Sequence, residues 1–210
     1  MNPVQKRSEQ TRQRVVDAAY QLFIEQGYSA TSIRQISQRA GVTTGGIYAH
    51  FEGKEHIWRE VLFHRHPFHD LLPALEQAEG QTGEQVVRSA ARLMVEVLDS
   101  RPDLLKLMFI ELVEFDGRDV ADLFVQFAPR FFPVIGRLVG VSTDLRDLPP
   151  VVIIRSFVGL FFSYYVTEKL AGDAFRRLFG GQQPQEMIDQ FVEIYLHGIL
   201  RPGGGGEEHG

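Results

Sequence analysis

Hydrophobic positions recur three and four residues apart along nearly the whole chain of 210 residues, with no strand-like alternation, so the pattern predicts an all-α protein. Val15, Ala18, Ala19, Leu22 and Phe23 make the inward stripe of a first helix over residues 8–26. Ile33, Ile36 and Ala40 supply a second, short helix, and Ile47 and Phe51, four apart, a third that points back to the same core. Ser32 and Gln35 have the spacing of a capping box, Gly41 has no Cβ to resist the left-handed conformation of a sharp helix stop, and Thr43 is placed to cap the third helix. A long helix is expected from Lys54, kinked or divided at Pro67 and Pro73. Further helices are expected over 83–100, 102–115 and 120–139, the last interrupted by Pro129 and Pro133. Two strongly apolar helices, over 149–171 and 184–200, close the pattern.

The polar groups that this core leaves over are the informative ones. Arg34, Thr43, Thr44, Tyr48, His50 and Lys54 lie along one edge of the short helices, and all carry donors suited to phosphate oxygens or base edges. Gly45 and Gly46 sit in the first turns of the third helix, where each costs roughly 1 kcal/mol relative to alanine. A groove floor or phosphate approaching the helix backbone would account for that cost; a merely loosened surface turn is the other reading. Two short helices joined by a tight turn, with such an edge, have the layout of a helix-turn-helix DNA reader.

Residues 8 to 57 resemble the N-terminal domain of a TetR-family transcriptional regulator. The resemblance is carried by Gly27-Tyr28 at the end of the first helix, the segment from Thr31 through Val42, and the segment from Gly45 through Glu55, in the family's order and spacing. It implies that Thr43 and Thr44 open the recognition helix at the major groove, that Tyr48, His50 and Lys54 lie on phosphates, and that Ser32 and Arg34 reach in from the preceding helix. Many relatives have lysine or glutamine where this chain has Thr44, and threonine where it has Gly46. Specificity is therefore expected to lean on Arg34, Thr43, Thr44 and DNA shape. Beyond Val61 the resemblance rests on helix number and length. The implied organisation is a helix-turn-helix DNA-binding domain over 1–53, a helical effector-binding and dimerisation domain over 54–201, and a flexible tail over 202–210.

The formal charge of −5 argues at first against nucleic acid, but its distribution does not. The first sixty residues hold eight Lys and Arg against six Asp and Glu, and the remainder is strongly acidic, so basic groups could face phosphates while the acidic bulk stands away. Lys6, Arg7, Arg12 and Arg14 form a candidate phosphate-binding arm or an ordinary solvated terminus. The lack of cysteine excludes disulfides and thiolate metal sites and suits a cytoplasmic protein. The polar first twenty residues do not read as a signal peptide. The apolar run from Val151 to Val166 is short for a bilayer span and reads as a buried helix, so no membrane partner is expected.

In the body, Phe124, Phe127, Phe131 and Phe132, with Phe109 and Met108, make a dense aromatic patch. It reads either as core or, together with Phe63, Met94, Phe161 and Tyr165, as a pocket for a small apolar or aromatic effector. The last two helices are apolar nearly all round and need covering on every side. Ser156, Gly159 and Ser163 on one, and Phe191, Ile194, Tyr195 and Gly198 on the other, are expected to pair across a two-fold axis in a homodimeric four-helix bundle. Two recognition helices would then stand about 34 Å apart, on a palindromic double-stranded operator.

Rival readings are an enzyme and a helical ligand-binding dimer without DNA-binding activity. No glycine-rich phosphate loop or nucleophile motif supports the enzyme, no cofactor is expected, and Glu111, Glu114 and Arg155 read as solvated or core-edge charges. His64, His66, His69 and Asp70 fall within seven residues, but Pro67 disturbs the helix on which a metal such as zinc would need them to share a face.

Overall fold

The computed structural model describes residues 2–141, 146–180 and 184–199, so the tail expected over 202–210 lies outside the described residues. All regular structure among the described residues is helical. The elements are α1 (Pro3–Gln26), α2 (Ile33–Ala40), α3 (Thr44–Tyr48), α4 (Lys54–Arg65), α5 (Phe68–Glu76), α6 (Gly83–Asp99), α7 (Leu104–Phe115), α8 (Arg118–Val141), α9 (Pro150–Phe179) and α10 (Pro184–Ile199).

The prolines act differently from one another. α4 stops at Arg65, with His66 extended ahead of Pro67, because a residue before proline is driven out of the helical region. Pro73 sits inside α5, and Pro129 and Pro133 sit inside α8, which runs through both where an interruption was expected. A proline inside a helix forfeits one N–H bond and bends the axis; it need not end the helix when the flanking turns remain bonded. α1 begins five residues earlier than the expected 8, and α9 ends eight residues later than the expected 171.

The chain divides into two compact units, the first Met1–His69 with Asp103–Gln126, the second Asp70–Pro102 with Phe127–Gly210. In the first, Val15, Val16, Ala19 and Phe23 of α1, Ile36 of α2, Ile47 of α3 and Ile57, Trp58 and Val61 of α4 form a closed core. The packed unit thus also takes in α7 and the start of α8, through Leu104, Leu107 and Leu123. Trp58 is fully buried, stacked on Phe115 at 5.6 Å between ring centroids and edge-on to Phe23 and Tyr28. In the second unit Leu72, Leu98, Phe161, Val192 and Leu196 are among the buried residues.

Candidate nucleic-acid interface and body cavity

The helix pair is built by its caps. Ser32 Oγ accepts the Gln35 N–H at 3.2 Å while the Gln35 side chain accepts the Ser32 N–H at 2.8 Å, the reciprocal bonding of a capping box. Gly41 ends α2 in the left-handed region (φ 63°), and a Cβ there would stand 2.8 Å from Arg14 Nη2. Thr43 Oγ1 accepts the Gly46 N–H at 3.0 Å and so starts α3. Around Gly45 a Cβ would meet nothing, so no neighbour within the chain demands glycine, and the backbone of α3 is open to close approach from outside. Ser32, Arg34, Thr43, Thr44 and Tyr48 are exposed, and Gly46, His50 and Lys54 are half-buried. Tyr48, 57% exposed, is a large ring that the core does not use.

Four cations around the helix pair are engaged within the chain. Arg12 forms an ion pair with Glu60 at 2.6 Å, donates to the His50 carbonyl at 3.4 Å and lies 4.9 Å over the Phe51 ring. Arg14 donates to the carbonyls of Ala40 and Gly41, closing the C-terminal end of α2. Arg39 is paired with Glu25. Lys54 Nζ donates to the carbonyls of Tyr28 (2.9 Å) and Thr31 (2.8 Å) and sits 4.1 Å over the Tyr28 ring, where burial lowers its pKa. The arm drawn from Lys6, Arg7, Arg12 and Arg14 is thereby corrected: Arg12 and Arg14 brace the helix pair, because a guanidinium is the side chain best able to bind carbonyl ends and a carboxylate together.

Glu111, expected on a solvated face, is 1% exposed. Its Oε2 accepts the Trp58 indole N–H at 2.7 Å and its Oε1 accepts the Asp119 backbone N–H at 2.8 Å. Burial pushes its pKa up, while these two bonds pull it back. Asp119, also buried, accepts from Arg59 Nε at 3.3 Å. The sequence held a signal for Glu111, since it continues the inward stripe of Leu104 and Leu107 at helical spacing. Glu114 is exposed and accepts from Ser29 Oγ at 2.8 Å. The four candidate metal ligands do not converge. His66 is buried with Nδ1 taking the Phe68 N–H, His69 Nε2 meets the Phe63 carbonyl, His64 faces Glu60 and Asp70 pairs with Arg101.

The second unit holds an apolar cavity of about 70 Å³. α5, α6, α8, α9 and α10 line it through Leu75, Val87, Phe131, Ile153, Phe157 and Tyr195, among others. Of the expected effector residues only Phe131 lines it. Met94, Phe127, Phe161 and Tyr165 are buried elsewhere in that unit, with the Tyr165 hydroxyl donating to the Arg101 carbonyl. Phe63, Met108, Phe109 and Phe124 belong to the first unit, and Phe109 and Phe124 are about half exposed (47% and 51%). The aromatic patch is divided because α8 gives Phe124 to the first unit and Phe127 and Phe131 to the second.

On α9, Ser156, Gly159 and Ser163 are exposed, as are Arg155, Val151, Val152 and Val158. The Ser156 hydroxyl donates to the Val152 carbonyl at 2.8 Å, folding its polar atom onto its own helix. The expectation of a buried helix over Val151–Val166 is therefore corrected for the single chain, which buries only one side of it. By length and composition, residues 150–178 could cross a membrane. On α10, Ile194 (64% exposed) and Gly198 face outward, and Phe191 is half-buried with its ring 5.4 Å from that of Tyr164. Tyr195 turns inward: it is 5% exposed, and its hydroxyl donates to the Ile153 carbonyl at 2.8 Å.

This geometry has counterparts among known proteins. The family described as bacterial regulatory proteins, tetR family, matches residues 15–61. The HTH-type transcriptional regulator SrpR of Pseudomonas putida is 32% identical over 160 residues, spanning 73% of this chain and 71% of its own. TtgW of Pseudomonas putida, an uncharacterised HTH-type transcriptional regulator, is 34% identical over 61% of this chain and 93% of its own. Among solved structures, native NalD of Pseudomonas aeruginosa, described as the secondary repressor of the MexAB-OprM multidrug efflux pump, superposes with a TM-score of 0.62 at 26% identity, covering 93% of this chain and 100% of that one. With its capped helix pair, all-helical body and relatives matched along most of their length, the chain belongs to the TetR family of transcriptional regulators.

Proposed function

We propose that the protein is a ligand-responsive repressor, acting in the cytoplasm as a homodimer on a palindromic operator and released by a small apolar or aromatic effector. The observation that carries this reading is the exposed edge of Arg34, Thr43, Thr44 and Tyr48 on a helix pair held in shape by its own caps and braces. Lys54 belongs to the interface through the one ammonium donor of three that Tyr28 and Thr31 leave over. The exposed apolar face of α9 supports pairing, since a second copy would cover Val151, Val152 and Val158 and bring the small stripe of Ser156, Gly159 and Ser163 against its own image. Repression is supported by the description of NalD as a repressor.

The cavity supports the class of effector. Its lining is apolar apart from the Tyr195 phenol, which is already bonded. At about 70 Å³ it is well below the roughly 300 Å³ from which small-molecule sites begin, so a ligand must open it. Opening is the differential contact that a population shift between two states requires.

Selection of duplexes from a random pool tests the reading. The expected product is a palindrome with half-sites one turn apart, bound less tightly as salt rises. Arg34→Ala and Thr44→Ala should each change the preferred sequence, at about 1–3 kcal/mol of discrimination for a lost base contact. Failure to retain any duplex at low ionic strength, or a monomer in dilute solution, would overturn it.

A further inference from the structure

A DNA-reading head needs only its three helices to present α3, yet the first unit also takes in α7 and the start of α8, and a buried carboxylate joins them to α4. Both Glu111 oxygens are engaged by donors from different elements, the indole N–H of Trp58 on α4 and the first-turn N–H of Asp119 on α8. Trp58 in turn packs edge-on against Phe23 of α1 and Tyr28, and the Tyr28 carbonyl holds Lys54. A buried carboxylate is costly unless each of its contacts is kept, so the arrangement has few near-equivalents to relax into.

We propose that Glu111 is a positioning residue that locks the start of α8 to Trp58 of α4 and thereby holds α4 in place behind the helix pair. The proposal rests on the regulator reading above. It assigns Glu111 no contact with DNA or effector; its work is done through Trp58 and the α8 amide. Arg59 of α4 also reaches Asp119 of α8, and Arg118 of α8 reaches Glu55 of α4, but both pairs use exposed arginines, whereas Glu111 is the buried tie between the two helices.

Glu111→Gln is the discriminating change. A glutamine has one acceptor oxygen and one NH₂, so either Trp58 or Asp119 must face a donor, and one arm of the lock is lost without a change of shape. Trp58→Phe removes the other partner's N–H and serves if the first variant folds poorly. In the full-length protein, amide hydrogen exchange over residues 118–121 and 54–65 should accelerate together in Glu111→Gln. Affinity for a duplex selected by the wild type should fall about tenfold in each single variant, the scale of one lost charge-assisted hydrogen bond. The double variant should bind no more weakly than the worse single one, because both break the same connection. Multiplying losses, or Glu111→Gln with unchanged exchange over 54–65 and unchanged affinity, would overturn the lock. Should the wild type select no duplex, the regulator reading falls and exchange alone decides: acceleration in both segments upholds the lock, and acceleration confined to 118–121 overturns it.

Discussion

The reading unit and the body's cavity treat polar groups in opposite ways. In the reading unit nearly every buried or bracing polar group has a named partner: Ser32 and Gln35 cap each other, Arg14 closes α2, Lys54 holds two carbonyls, and Glu111 joins Trp58 to α8. In the body the cavity is apolar and its one phenol is tied to the helix facing it. Directional bonds fix a shape, whereas apolar contacts tolerate rearrangement so long as volume is conserved. The contrast suits the proposed roles, a head that would keep one edge in register with a duplex and a body that would change shape around a ligand.

Trp58→Ala should break the first half of that contrast with the largest effect. It deletes a fully buried ring system and leaves one Glu111 oxygen without its donor, so a loss of about 3–5 kcal/mol is expected in denaturant unfolding followed by circular dichroism. A loss under about 1 kcal/mol would mean that the reading unit is not the rigid partner. Val87→Ile probes the other half, adding one methylene beside a cavity of about 70 Å³. A gain of up to about 0.8 kcal/mol is expected where the methylene finds space. Destabilisation by more than that would show a lining too stiff to remodel.

How far each unit could be read from sequence follows the same divide. The helix pair was legible because its determinants are local: Ser32 and Gln35 are three apart, Gly41 and Thr43 flank one turn, and exposed polar residues on a short amphipathic helix stand out. The fates of Arg12, Arg14 and Lys54 were not legible, since their carbonyl partners lie 26 or more residues away, or 23 in the nearest case, and nothing in the sequence names an acceptor. The cavity was illegible for a related reason. Its lining comes from five helices, each giving ordinary core residues such as Leu75 and Val87, so no segment carries a signature. Tyr195 shows the limit of a stripe argument: it lies one residue from outward-facing Ile194, and a turn of about 100° separates the surface from the interior.

The smallest expected effect separates the two units by pH. Burial raises the Glu111 pKa in the folded chain, the Trp58 and Asp119 N–H bonds lower it, and the Asp119 carboxylate nearby raises it; the net direction is upward. The raised value means that the folded state holds its proton to higher pH than the unfolded state does, so over the window just above the ordinary value of 4.5 the folded chain binds more protons. Stability from this group is then fully present below that value and declines as pH rises through the folded pKa. Compared with Glu111→Gln, which cannot titrate there, the wild type should gain relative stability as pH falls from 7 toward 5, in matched denaturant melts. The comparison cancels other carboxylates, including exposed Glu25, whose pairing with Arg39 lowers its pKa and gives the opposite slope. A relative loss on acidification would mean that the two N–H bonds, and not burial, govern the Glu111 carboxyl, and would make the lock a favourable charge rather than a costly one held in place by its surroundings.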